Sequence, residues 1–217
     1  MARYIAADSA RYDGIAQGDV AATFLELKTM TDTVTTGELV ANPLLVSASL
    51  SHTGLPPFKS ILPEHIEPAL DQVLADNRAA LKALLADPAN RNPQDPVNQV
   101  LKPLEELDDR LSRLWSPVGH LNAVMNSEPL RKAYNACLPK LSEYSAEMGQ
   151  NLDLCNVYKA IRQSPQWESL SMAERKVVDN ALRDFHLSGV DLPTAKQARY
   201  KEIRKRLSEL SSKFSEN

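Results

Sequence analysis

Cysteine is scarce: Cys137 and Cys155 are the only two in 217 residues. A chain this long is not held by a disulfide framework built on two thiols, and both read as buried, reduced side chains of a cytosolic protein. No run of 18 apolar residues occurs, so no transmembrane helix is expected. The first residues, MARYIAADSARYDGIAQGD, have neither a basic start nor an apolar stretch, and no secretory signal is read there. Charge of one sign is also missing. The net charge is −3, which gives no whole-chain pull toward nucleic acid or an anionic membrane. Glycine is sparse at 7 residues against 14 prolines, and β-branched runs are few. With abundant Leu, Ala, Glu and Lys, that balance favours helices over strands.

What is present is helical periodicity. Residues 1–41 carry little of it and read as an N-terminal appendage, poorly ordered, in which Asp19 caps at most a short helix bearing Val20, Phe24, Leu27 and Met30. Residues 42–62 read as an extended lead-in, punctuated by Pro43, Gly54, Pro56 and Pro57 and pinned by Leu44, Leu45, Leu55, Phe58, Ile61 and Leu62. A helix then starts near Pro63, with Ile66, Leu70, Leu74, Asn77, Leu81 and Leu84 on one face. Asp95 and Pro96 open a second, with a stripe from Val97 to Leu114 that continues through Pro117. Ser127 is placed to cap a third, striped by Leu130, Tyr134, Cys137, Leu141, Tyr144 and Met148. A shorter helix spans Leu152 to Arg162 and stops at Ser164–Pro165. Pro68, Pro103 and Pro139 lie inside helices, where kinks are expected.

The last 44 or so residues are read as a helical hairpin. Ser171 and Glu174 have capping-box spacing, and Val178, Leu182 and Phe185 share a face. Gly189 suits a left-handed C′ position, and Pro193 opens the final helix. Tyr200, Ile203, Leu207, Leu210 and Phe214 then step by three and four. That stripe is still running near Asn217, and the expectation is that its face needs residues this chain does not carry. The fold expected is all-α, an antiparallel helical lobe over 42–217 with the appendage 1–41.

Chemistry is hard to find. The four histidines, His52, His65, His120 and His186, include no pair at i,i+3 or i,i+4 that one helix face could offer a metal. The acidic run Glu105, Glu106, Asp108 and Asp109, followed by Arg110 and Arg113, reads as a solvated face with i,i+4 pairing. Glu143 and Glu147 are one turn apart, a weak cation site on their own. The final helix has a local excess of four positive charges, from Lys196 to Glu216, without interleaved aromatics to stack nucleic-acid bases. No Gly-x-Ser-x-Gly, phosphate loop or His-Glu-x-x-His motif occurs.

Certain stretches nevertheless have a familiar wording: NPLL at 42–45, LPPF at 55–58, PEHIEPAL at 63–70, LWSPVGHLN at 114–122, LSEYS at 141–145 and VVDNALRDFHLSGVDLP at 177–193. In this order they resemble the N-terminal helical part of the oligopeptidase A branch of the thimet oligopeptidase and neurolysin family of zinc metallopeptidases, and the bacterial members more than the mitochondrial or animal ones. The resemblance covers about four fifths of the chain and leaves out 1–41. It implies a neurolysin-like helical domain from a two-lobed, cytoplasmic endopeptidase that cuts short peptides in a deep channel. It also implies a zinc ion held by a His-Glu-x-x-His helix and a later Glu, with the motif's Glu as general base. That motif has no counterpart here. No catalytic or metal-ligating residue is therefore assigned, substrate-binding residues are left unassigned, and no cofactor is expected on this chain.

Three roles follow. The chain is the N-terminal domain of such a zinc enzyme, inactive without the catalytic region. Alternatively it is a split subunit or interaction module that assembles with a separate catalytic chain. Third, it is a stand-alone helical scaffold. Neither nucleic acid nor membrane is an expected partner.

Overall fold

The computed structural model describes residues 42–49 and 55–215. The expectations for 1–41, the helix from Asp19 included, and for His52 lie outside the described residues. Every regular element among the described residues is helical: α1 (Pro43–Ser49), α2 (Pro63–Ala86), α3 (Lys102–Val124), α4 (Glu128–Gly149), α5 (Leu152–Gln163), α6 (Met172–Leu187) and α7 (Thr194–Ser215).

The lead-in is not wholly extended. Residues 43–49 form α1, because Asn42 accepts a hydrogen bond from the Leu44 N–H at 3.0 Å and Pro43 supplies a helical φ at N1. Asn42 also donates through Nδ2 to the His65 carbonyl at 2.8 Å, which ties α1 to the start of α2. Leu44 is fully buried and Ile61 nearly so, whereas Leu55, Phe58 and Leu62 stay exposed. Leu45 packs against the same core from a half-buried position, so three of the expected apolar anchors hold the segment.

Helix α2 runs as its periodicity predicts. Ile66, Leu70, Leu74 and Leu81 are buried, joined by Ala69 and Val73. Each fully buried aliphatic side chain stabilises the fold by about 1.5–3 kcal/mol relative to exposure. Asn77 interrupts the stripe without leaving it. It is fully buried and donates through Nδ2 to the Leu107 carbonyl at 2.9 Å, so a polar group inside the core is partly satisfied by a backbone acceptor on α3.

The start of the next helix needs a correction. Asp95 accepts from the Asn98 N–H at 3.1 Å, as an N-cap does. Residues Val97–Leu101 then form one wide π turn, in which the Lys102 N–H bonds the Val97 carbonyl. Leu101 and Lys102 keep right-handed helical backbone between the π turn and α3, so Pro103 lies inside one continuous helical run that the π turn begins. Its ring cannot accept the tight spacing of an α-turn behind it, and the wider turn moves the preceding carbonyls away. Pro68, Pro117 and Pro139 also lie inside helices. Ser127 occupies the N-cap of α4, but its side chain makes no capping hydrogen bond. Asn151 does cap α5, accepting from the Leu154 N–H at 2.9 Å. The Ser171–Glu174 capping box forms in both directions, at 3.2 and 2.7 Å. Gly189 has φ +82°, the left-handed conformation expected after α6.

Two apolar clusters result. One joins α1, α2, α3 and α4 through Leu44, Ile66, Leu70, Leu74, Leu114 and Cys137. The other joins the end of α2 to α3, α5 and α6 through Leu81, Leu107, Ile161, Trp167, Val178 and Phe185. Met148 near the end of α4 packs against both. The main support of α7 is α4.

Candidate functional site

The histidines serve local structure. His65 accepts the Leu62 N–H on Nδ1 at 3.1 Å and closes the start of α2. His186 faces the Asp191 carboxylate at 3.0 Å. His120 lies 5.5 Å from the Phe58 ring, centroid to centroid. The three sit on different elements and do not converge. Glu147, read as half of a weak cation site, takes a guanidinium instead: Arg78 Nε donates to it at 2.8 Å, which raises the Arg78 pKa. On the acidic run of α3, Asp109 pairs with Arg113 one turn on. Lys140 bridges Glu67 and Asp71 from α4 to α2, at 2.8 and 2.6 Å.

Among the described residues, no three His, Cys, Asp or Glu side chains are grouped so as to hold a metal ion. The described residues do not fit zinc. Both thiols are free and buried. Burial, with a smaller push from Glu67, raises the Cys137 thiol to about 11, and burial raises Cys155 as well. They remain protonated at neutral pH and are poor nucleophiles.

Two concave surfaces among the described residues carry charged and aromatic side chains. A cleft of about 440 Å³ lies between the C-terminal halves of α2 and α4. Arg78 and Lys82 line it with Tyr144 and Glu147, and Leu81, Leu85 and Met148 supply apolar wall. The Arg78 guanidinium stands 5.5 Å from the Tyr144 ring centroid, a cation–π distance. Burial raises the Tyr144 phenol, while the Asn77 side chain pulls the other way. A second groove, of about 770 Å³, runs along Trp167 and the start of α6. The Trp167 ring lies 4.2 Å from the Arg162 guanidinium and 5.8 Å from that of Arg175. Arg175 is itself fixed to the Leu170 and Glu168 carbonyls at 3.0 and 2.7 Å. Both concavities combine cations with aromatic surface, and neither pairs a nucleophile with a base. Arg78, Arg162, Trp167 and Arg175 carry no local sequence signal, since each meets its partner across helices.

The largest departure from burial is on α7. Ile203 is 51% exposed, Leu207 51%, Leu210 47% and Phe214 81%. Where α7 meets α4 its contribution is polar, and Ser212 donates to Asn135 Oδ1 at 3.0 Å. The expected apolar stripe is therefore formed and turned outward.

Residues 70–197 match the family described as Neurolysin/Thimet oligopeptidase, N-terminal domain. Oligopeptidase A of Haemophilus influenzae is 47% identical over 178 residues, which are 82% of this chain and 25% of that protein. Oligopeptidase A of Salmonella typhimurium is 49% identical over the same shares. A probable cytosolic oligopeptidase A of Arabidopsis thaliana is 34% identical over 179 residues, 82% of this chain and 24% of that protein. The chain spans about a quarter of the length of the curated relatives it matches.

Proposed function

We propose a function from the premise that this chain belongs to the neurolysin/thimet oligopeptidase family, whose N-terminal domain it carries. It is the N-terminal helical domain of an oligopeptidase A-like zinc metalloendopeptidase that degrades short peptides in the cytoplasm. Residues 42–217 make up that domain, and 1–41 are an appendage to it. The observation that carries this reading is the contrast between 82% coverage of this chain and 25% coverage of its relative. Zinc, when bound by the full enzyme, supplies the activated water and polarises the scissile carbonyl. This chain supplies no ligand to it. Its part is a rigid wall for the substrate channel, built on α2, α3 and α4.

A second reading is favoured by the exposed stripe on α7: a split subunit or interaction module that joins a separate catalytic chain. The experiment for both is co-production of this chain with the portion of Escherichia coli oligopeptidase A that lies beyond the matched stretch. The expected result is co-purification and chelator-sensitive cleavage of a short quenched peptide. Absence of both, with each chain soluble and folded, would overturn the assignment.

A further inference from the structure

Three properties of α7 sort onto three sides of one helix. At 100° per residue, one side carries half-buried Gln197, Ser208 and Ser212; on it Ser212 donates to Asn135 of α4 and Gln197 to the Gly189 and Val190 carbonyls. About a third of a turn away lie Ile203, Leu207, Leu210 and Phe214, with half-buried Tyr200 at the head of the row. The spacing from Tyr200 to Phe214 is three, four, three, four, an a/d seam sustained for two heptads. The flank of the seam that faces away from α4 is a row of Arg199, Arg206 and Lys213, and Arg204 adds a cation on the other flank. No acidic residue occupies either flanking row within the described residues.

A seam of this spacing is complementary to another helix lying alongside it at a small crossing angle. We infer that the outward seam of α7 docks a helix from the part of the family enzyme that this chain does not span, and that the docking helix bears Asp or Glu beside its own apolar seam. The inference rests on the functional reading above and names the surface through which that assembly occurs. Charge excludes the simplest competitor. In a parallel pair of two copies Arg199 would face the partner's Arg204, and in an antiparallel pair Arg206 would face the partner's Arg206, so both orientations set cation against cation. The ion pairs Arg199–Glu202 and Arg206–Glu209, at 2.9 and 3.0 Å, are solvent-exposed, and such pairs hold their arginines weakly. A lipid surface fits less well, because a membrane-bound helix sinks a broad apolar face and α7 has one side occupied by α4.

The test uses the 217-residue chain and two synthetic helices of about 28 residues, four heptads, with Leu at a and d. One has Glu at every e and g position and the other Lys. The Glu helix is expected to bind at least about tenfold tighter than the Lys helix and to weaken with salt. L207E is expected to abolish binding, and R206E to shift the preference toward the Lys helix. Equal binding of the two helices, no binding of either, Leu207-dependent self-association, or Leu207-dependent binding to anionic vesicles would overturn the inference. The same variants go into the co-purification with the Escherichia coli remainder. Assembly that withstands L207E contradicts the inference and leaves the functional reading standing. Failure of the unaltered chain to assemble contradicts the functional reading, and the inferred occupant of the seam falls with it.

Discussion

Helices α2 and α7 are written in the same code and live in opposite surroundings. Each carries large aliphatic residues at steps of three and four. In α2 the residues Ile66, Leu70 and Leu74 are at most 2% exposed, while in α7 the residues Ile203, Leu207 and Leu210 are 47–51% exposed. The difference comes from what surrounds each helix. α2 has α1, α3 and α4 packed against it, whereas the main support of α7 is α4, where Ser212 donates to Asn135. Periodicity states that a face wants burial; it does not state what buries it. The stripe left exposed on α7 is the surface that the inferred docking helix would cover.

The comparison can be broken most forcefully in α2. Leu74→Ala should cost about 2–5 kcal/mol, since it removes buried methyl groups and leaves a cavity among α2, α3 and α4. Denaturant unfolding of the pure chain measures this, and a cost below 1 kcal/mol would show that the α2 core is loosely packed. Asn77→Ala should cost about 1–3 kcal/mol, because the Leu107 carbonyl loses its buried side-chain donor. Ser171→Ala should cost about 1 kcal/mol through loss of the capping box, and Ser171→Gly only a few tenths of a kcal/mol. The smallest effect belongs to α7. Leu207→Ala should change stability by no more than about 0.5 kcal/mol, as for other surface positions. A Leu207→Ala cost close to that of Leu74→Ala would erase the distinction between the two helices.

Most of the helical lobe was legible because capping and periodicity are local. Pro63, the Ser171–Glu174 box, Gly189 and Pro193 each specify a boundary through the chain's own backbone chemistry, and the structure places helix ends beside them. Helix α1 was missed even though its signal is of the same kind. Asn42 followed by Pro43 is a cap and first-turn pair, but it is set among prolines and a glycine that read as loop. The π turn before Pro103 was missed because no residue type marks it. It follows from a proline ring meeting a helix that Asp95 has already started. The contacts of Arg78 with Glu147 and Tyr144, and of Trp167 with Arg162 and Arg175, join residues far apart along the chain or across element boundaries. The packing of α2 on α4 makes the first contact, and the short 3-10 turn Pro165–Ser169 between α5 and α6 carries Trp167 to its two arginines. The zinc-binding motif of the family, by contrast, has no counterpart in these residues, and no local pattern stands in its place.

In the proposed function this chain contributes structure, not the reacting centre, to a peptide-cleaving enzyme. The most direct measurement is the zinc content of the pure 217-residue chain, taken together with its cleavage of a short quenched peptide, with and without chelator. The account predicts no stoichiometric zinc after dialysis and no cleavage above background in either condition. Bound zinc near one equivalent, with cleavage that chelator removes and added zinc restores, would contradict it.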